Sequence, residues 1–123
     1  MRAADRCEYC RLPQQGQEAT FHVDHVQPVR DGGLTTLENL ALACVSCSLR
    51  KGARSLMPDP LTGESSPLFH PRRDPWPAHF LVSDDGSIES TTAIGRATIA
   101  ALAFNRATAL AIRAELMALR RYP

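Results

Sequence analysis

Cys7-Glu8-Tyr9-Cys10, then Asp24-His25, then Cys44-Val45-Ser46-Cys47: two CxxC pairs flank an acid and an imidazole, and this order decides how the chain is read. Each CxxC brings two thiolates to one ion from a single tight turn. Two such pairs close a tetrahedral shell with no open coordination position, the mark of a structural zinc site. Two disulfides are a competing reading. So is a thioredoxin-like redox role for one pair, which would leave the other pair unexplained. Met1-Arg2-Ala3-Ala4-Asp5 has no apolar stretch behind its charge, so it does not read as an export signal. The expected location is therefore the cytoplasm, where reduced thiol pairs more often bind metal than oxidise.

Working outward, 123 residues suffice for one domain with an appended subdomain. No apolar run approaches the length of a membrane span. Large apolar residues are sparse in the N-terminal half, where a metal staple offsets what a small core cannot. A net charge of +1 excludes a chain that binds nucleic acid through its overall charge. The local distribution says more. Arg50-Lys51-Gly52-Ala53-Arg54 follows the second CxxC without an acid, and His70-Pro71-Arg72-Arg73 forms a second basic cluster. Arginine suits bidentate phosphate contact, although such clusters are also ordinary solvated surface.

Phe21 to Gln27 is rich in β-branched and aromatic residues and stops at Pro28, which predicts a strand. Asp31-Gly32-Gly33 predicts a turn. Leu40-Ala41-Leu42-Ala43 predicts a second strand able to pair with the first. A short helix is expected from the second CxxC to Arg50 or Lys51, with Gly52 as its stop. Three units follow: residues 1–56 with the knuckles, residues 57–77 as a Pro-rich irregular connection, and residues 78–123 as a hairpin plus helices packing on the first unit. Asp84-Asp85-Gly86 is the hairpin turn, between strands His79–Ser83 and Ser87–Ser90. Helix is expected from Ala93 to Arg120, split by Asn105 as an N-cap. Its apolar stripe runs through Ile94, Thr98, Ala101 and Leu102, then Leu110, Ala114, Met117 and Ala118.

The ordered set Cys7-x2-Cys10, Asp24-His25-Val26-x-Pro28, Gly32-Gly33, Glu38-Asn39-Leu40, Cys44-x2-Cys47 and Lys51-Gly52 resembles the HNH endonuclease family in its zinc-stapled bacterial form. The resemblance covers about residues 7–54. It implies an α+β chain built on a ββα-metal core, with Cys7, Cys10, Cys44 and Cys47 holding structural Zn²⁺. It also implies catalytic Mg²⁺ or Mn²⁺ against a DNA phosphate. His25 matches the general base; an imidazole titrates near neutrality and can take a proton from water. Asp24 matches a ligand of the catalytic cation. Asn39 matches the middle Asn of the family name and would tie the loop to the backbone beside His25. Arg50, Lys51 and Arg54 are the phosphate-contact candidates. The residues from Asp59 to Thr98 also look like the tail of a group of small bacterial HNH proteins, and this tail has no assigned role.

Two tensions remain in that pattern. Adjacent strand residues point to opposite faces, so Asp24 and His25 share a site only if the strand twists or bulges. Ser48 stands where the family usually has His or Asn, the second protein ligand of the cation. A hydroxyl is a weaker ligand, so the alternative is a catalytically weakened nucleic-acid-binding module. A zinc-stabilised protein-interaction module is a third reading. His22 precedes Asp24 by two residues and on a regular strand shares its face; it either adds a metal or phosphate contact or packs on the strand. Trp76 either stacks on a base or clamps a loop. A separate protein partner that supplies specificity is compatible with this pattern; oligomeric state is not readable from it.

Overall fold

The computed structural model describes residues 3–15 and 17–123. Met1 and Arg2, part of the segment read for an export signal, and Gly16 lie outside the described residues. Short strands and helices alternate: β1 (His22–His25), β2 (Leu40–Ala43), α1 (Val45–Lys51), β3 (Leu56–Pro58), β4 (Ser65–Pro67), α2 (Trp76–His79), β5 (Leu81–Val82), β6 (Ile88–Glu89), α3 (Ala93–Ala101) and α4 (Ala107–Ala118). Among the described residues the strands form three separate two-stranded antiparallel pairs, β1 with β2, β3 with β4 and β5 with β6. Among the described residues no helix is long and apolar enough to cross a membrane.

β1 and β2 pair with His22 opposite Ala43, Asp24 opposite Ala41 and His25 opposite Leu40. Ala41 and Ala43 are buried, so small side chains let the pair lie close against the knuckles. The chain then turns at Cys44, whose Sγ accepts from Cys47 N and caps α1. Gly52, at φ +54°, ends α1, and its N–H reaches the Ser48 carbonyl. The first knuckle is a comparable turn, with Cys7 N bonded to Leu12 O and Arg11 N to Cys7 O.

The rest of the chain is fastened to these knuckles. Trp76 Nε1 donates to Tyr9 O at 2.7 Å, and Tyr122 Oη donates to Cys10 O at 2.6 Å. Arg72 pairs with Glu8, whose carboxylate also takes the Leu42 N–H. An aromatic chain runs through the joint: Trp76 and Phe69 each meet Phe80, at 4.9 and 5.1 Å between ring centres, and Phe80 meets Phe104 at 5.5 Å. Offset or tilted pairs of this kind add about 1 kcal/mol each beyond area burial. These rings and the four cysteines lie in one buried cluster.

Several local expectations need correction. Residues 57–77, expected to be irregular, contain most of the β3–β4 hairpin and the start of α2. Asp59 organises that hairpin turn: its carboxylate accepts from Leu61 N and Thr62 Oγ1, and its backbone bonds Glu64 and Gly63. Arg96 of α3 then grips the same carboxylate with two bonds, 2.9 and 2.8 Å. His79 ends α2 instead of beginning a strand, because Trp76-Pro77 starts a helical turn with proline in its first positions. Asn105 does not cap α4; Arg106 holds that position while Asn105 exchanges two hydrogen bonds with the Ile88 backbone. The buried face of α4 carries Ala109 and Arg113, whereas Ala114 and Ala118 are exposed. Arg113 turns the helix inward by bonding Gly86 O, Phe104 O and Asn105 Oδ1.

Candidate active site and metal centre

The two knuckles bring Cys7, Cys10, Cys44 and Cys47 together, all buried, with ligand atoms within 4.8 Å of one another. None is in a disulfide. The four are positioned to form a zinc site, and four soft thiolates in a closed shell fit Zn²⁺. Hydrogen bonds among the sulfurs hold Cys44 down and push Cys10 and Cys47 up. Without a cation such a cluster keeps protons that a zinc ion displaces.

Beside this shell, β1 lies against α1. Lys51 Nζ is 3.2 Å from Asp24 Oδ2 and 3.0 Å from the His25 carbonyl. The Lys51 side chain is 0% exposed and that of Asp24 10%, so this is an interior ion pair. The Tyr9 hydroxyl donates to the same Oδ2 at 2.6 Å. Burial, then the Asp24 charge, pushes the Tyr9 phenol well up, which keeps it a donor. Two residues back on β1, His22 Nδ1 lies 2.8 Å from Ser48 Oγ, one turn of α1 before Lys51.

His25 takes a different direction. Its Nε2 is 3.0 Å from Thr35 Oγ1 in the loop before β2. Asn39 pins that loop from inside: Oδ1 accepts from Gln27 N at 2.8 Å, while Nδ2 donates to Gln27 O and Leu34 O. Gly33 sits under this strap, where a Cβ would stand 1.8 Å from Gln27 O.

The basic candidates separate. Arg50 is exposed on α1, with Nε on Ser46 Oγ. Arg54 is half-buried and tied to carbonyls of Lys51, Arg50 and Ala101. Lys51, expected to reach phosphate, is enclosed and bound to Asp24, because β1 covers the α1 face that carries it. Trp76 is buried as a clamp on Tyr9, with the Arg11 guanidinium 4.5 Å over its ring. His70 accepts a local bond from Arg72 N, and His79 Nδ1 lies 2.7 Å from Oγ1 of Thr92, the residue that caps α3.

Residues 7–54 match the family model described as HNH endonuclease. The HNH match takes in both knuckles, β1, β2 and α1, and stops before β3. No curated protein and no solved structure matches the chain. Within the matched segment, the donors available to a second cation are hard or borderline: the Asp24 carboxylate, the Ser48 hydroxyl and the His22 imidazole. Such a set offers oxygen donors and one imidazole nitrogen and no thiolate, unlike the four-sulfur shell of the knuckles. Tyr9 and Thr35 escaped the motif reading. An aromatic hydroxyl inside a CxxC turn was the available signal for Tyr9; nothing in the spacing pointed to Thr35.

Proposed function

We propose that the protein is a metal-dependent endonuclease of the HNH type, hydrolysing phosphodiester bonds of DNA on a ββα-metal core. The observation that carries this reading is the placement of Asp24 and His25 on β1, braced against α1, inside the matched segment. A bound Mg²⁺ or Mn²⁺ would polarise the scissile phosphate and stabilise the leaving oxygen. Asp24 would hold it, with Ser48 as a weaker partner. His25 would accept the proton of the attacking water. The Thr35 hydroxyl already sits at hydrogen-bond distance from His25 Nε2, so that nitrogen can meet an oxygen from the solvent side. Asn39 would keep the loop and the His25 backbone in register through its three bonds. Arg50 and Arg54 would touch the DNA backbone, and Lys51 would set the Asp24 carboxylate.

A second reading, a nucleic-acid-binding module with little turnover, is favoured by Ser48 and by the Lys51 ammonium already paired with Asp24. Plasmid cleavage with Mg²⁺, Mn²⁺ or EDTA separates the two. The enzyme reading expects metal-dependent nicking that falls by 100-fold or more in His25→Ala, roughly the worth of a general base. Nicking only by Ser48→Asn would favour the binding module. No nicking by any folded, zinc-loaded variant would sink the nuclease reading.

A further inference from the structure

We propose that His22 is a protein ligand of the second cation, supplying from β1 the imidazole that α1 lacks at Ser48. This rests on the cation-dependent function proposed above and specifies its ligand set.

The argument begins with register. Residues 22 and 24 of a strand share a face. On α1, positions 48 and 51 are one turn apart and share a face as well. The observed contacts follow that geometry in two rungs: His22 with Ser48 at 2.8 Å, and Asp24 with Lys51 at 3.2 Å. His25 breaks from this row and bonds Thr35. The imidazole that lies on the Asp24 side of β1 is therefore that of His22.

The state of each group suits the role. His22 is exposed, and among the described residues only Ser48 Oγ bonds its ring. A single bond at Nδ1 fixes the ring and leaves Nε2 free to bind, the usual division of labour in a ligating imidazole. Asp24 is polarised in the same sense. Both Tyr9 and Lys51 bond Oδ2, while Oδ1 meets the ammonium only at 3.5 Å. Ser48 is then an orienting residue for His22 as much as a ligand. A nitrogen donor beside carboxylate and hydroxyl oxygens favours Mn²⁺ over Mg²⁺, since Mg²⁺ takes oxygen donors and keeps its water.

The test is Mn²⁺ binding to the zinc-loaded protein without DNA, read from the EPR signal of free Mn²⁺. The native protein should bind one ion more tightly than Mg²⁺ competes for it. His22→Ala should weaken binding at least about tenfold, and Asp24→Asn should weaken it too. Adding Ser48→His to His22→Ala should restore affinity to within a few-fold. Mn²⁺ below stoichiometry should broaden the ring-proton NMR signals of His22 and leave those of His79 sharp. Native affinity in His22→Ala, with loss in Asp24→Asn, would overturn the role of His22 and leave the nuclease reading standing. No Mn²⁺ binding by the native protein would also overturn it; parallel plasmid nicking then shows whether the functional reading falls with it.

Discussion

The Tyr9 hydroxyl stands 2.6 Å from Asp24 Oδ2, so a residue inside the first CxxC turn sets the orientation of a carboxylate on β1. Tyr9 is itself fixed by the Trp76 indole on its carbonyl. Tyr9→Phe removes one hydrogen bond to a charged group while keeping the ring in its buried place. Its unfolding free energy should drop by about 2 kcal/mol. Urea midpoints at unchanged zinc content would measure this, and an unchanged midpoint would show that the bond contributes nothing net.

Lys51→Met should cost more than Tyr9→Phe. The aliphatic stem is kept, but Asp24 loses its only ion-pair partner among the described residues, in a setting where its side chain is 10% exposed. Removing one partner of a buried pair typically costs about 3–5 kcal/mol. Converting Asp24→Asn in the same molecule should recover much of that loss, because an amide leaves no charge uncompensated. A double-mutant cycle on denaturation midpoints is the direct check.

Gly32 and Gly33 should respond very differently to alanine. Gly32 has φ +87° and open space around it, so Gly32→Ala pays mainly backbone strain, about 1–2 kcal/mol. At Gly33 a Cβ would fall 1.8 Å from Gln27 O and 2.9 Å from Asn39 Nδ2. Gly33→Ala must therefore displace the Asn39 strap. The expected outcome is a larger stability loss together with lost cleavage, read by melting temperature and nicking rate; equal effects at both sites would contradict the strap geometry.

The Asp59–Arg96 pair should give the tail a pH signature. The Arg96 hydrogen bonds, helped by those from Leu61 and Thr62, hold the Asp59 carboxyl well below the usual carboxylate range. The folded protein therefore binds fewer protons here than the unfolded chain. Stability from this pair is fully present above the ordinary aspartate value of about 4 and is lost as pH falls through and below it. The difference in melting temperature between native protein and Asp59→Asn should be large at neutral pH and shrink toward pH 3. Comparing the two proteins at each pH cancels acid effects on the zinc shell.

The four-cysteine cluster, β1, β2 and α1 were legible because each rests on sequence rules: CxxC turns, β-branched runs and a glycine stop. The β3–β4 hairpin was hidden by its prolines, which forbid long elements but not three-residue strands at an edge. Its turn is built by Asp59 and held by Arg96, a partner 37 residues away. Burial of Arg113 and Lys51 was also beyond reading from pattern, since periodicity assigns charged residues outward. The carbonyls of Gly86 and Phe104 with the Asn105 amide oxygen, and the Asp24 carboxylate with the His25 carbonyl, make those interior positions favourable. At the site, Asn39 was suggested by the family resemblance and His22 by spacing, but the direction each side chain takes depends on a loop and a helix face that no local rule specifies.

Trp76 is the single tryptophan of the chain, and its indole bonds the carbonyl of a residue lying between two cysteines of the candidate zinc site. The molecule thus carries its own optical reporter. Indole emission depends on local polarity and hydrogen bonding, and here one fluorophore touches the knuckle, the Arg11 guanidinium and the Phe80 ring at once. A shift in its emission on chelation would register loss of metal and detachment of the tail as a single event, in unlabelled protein and in real time.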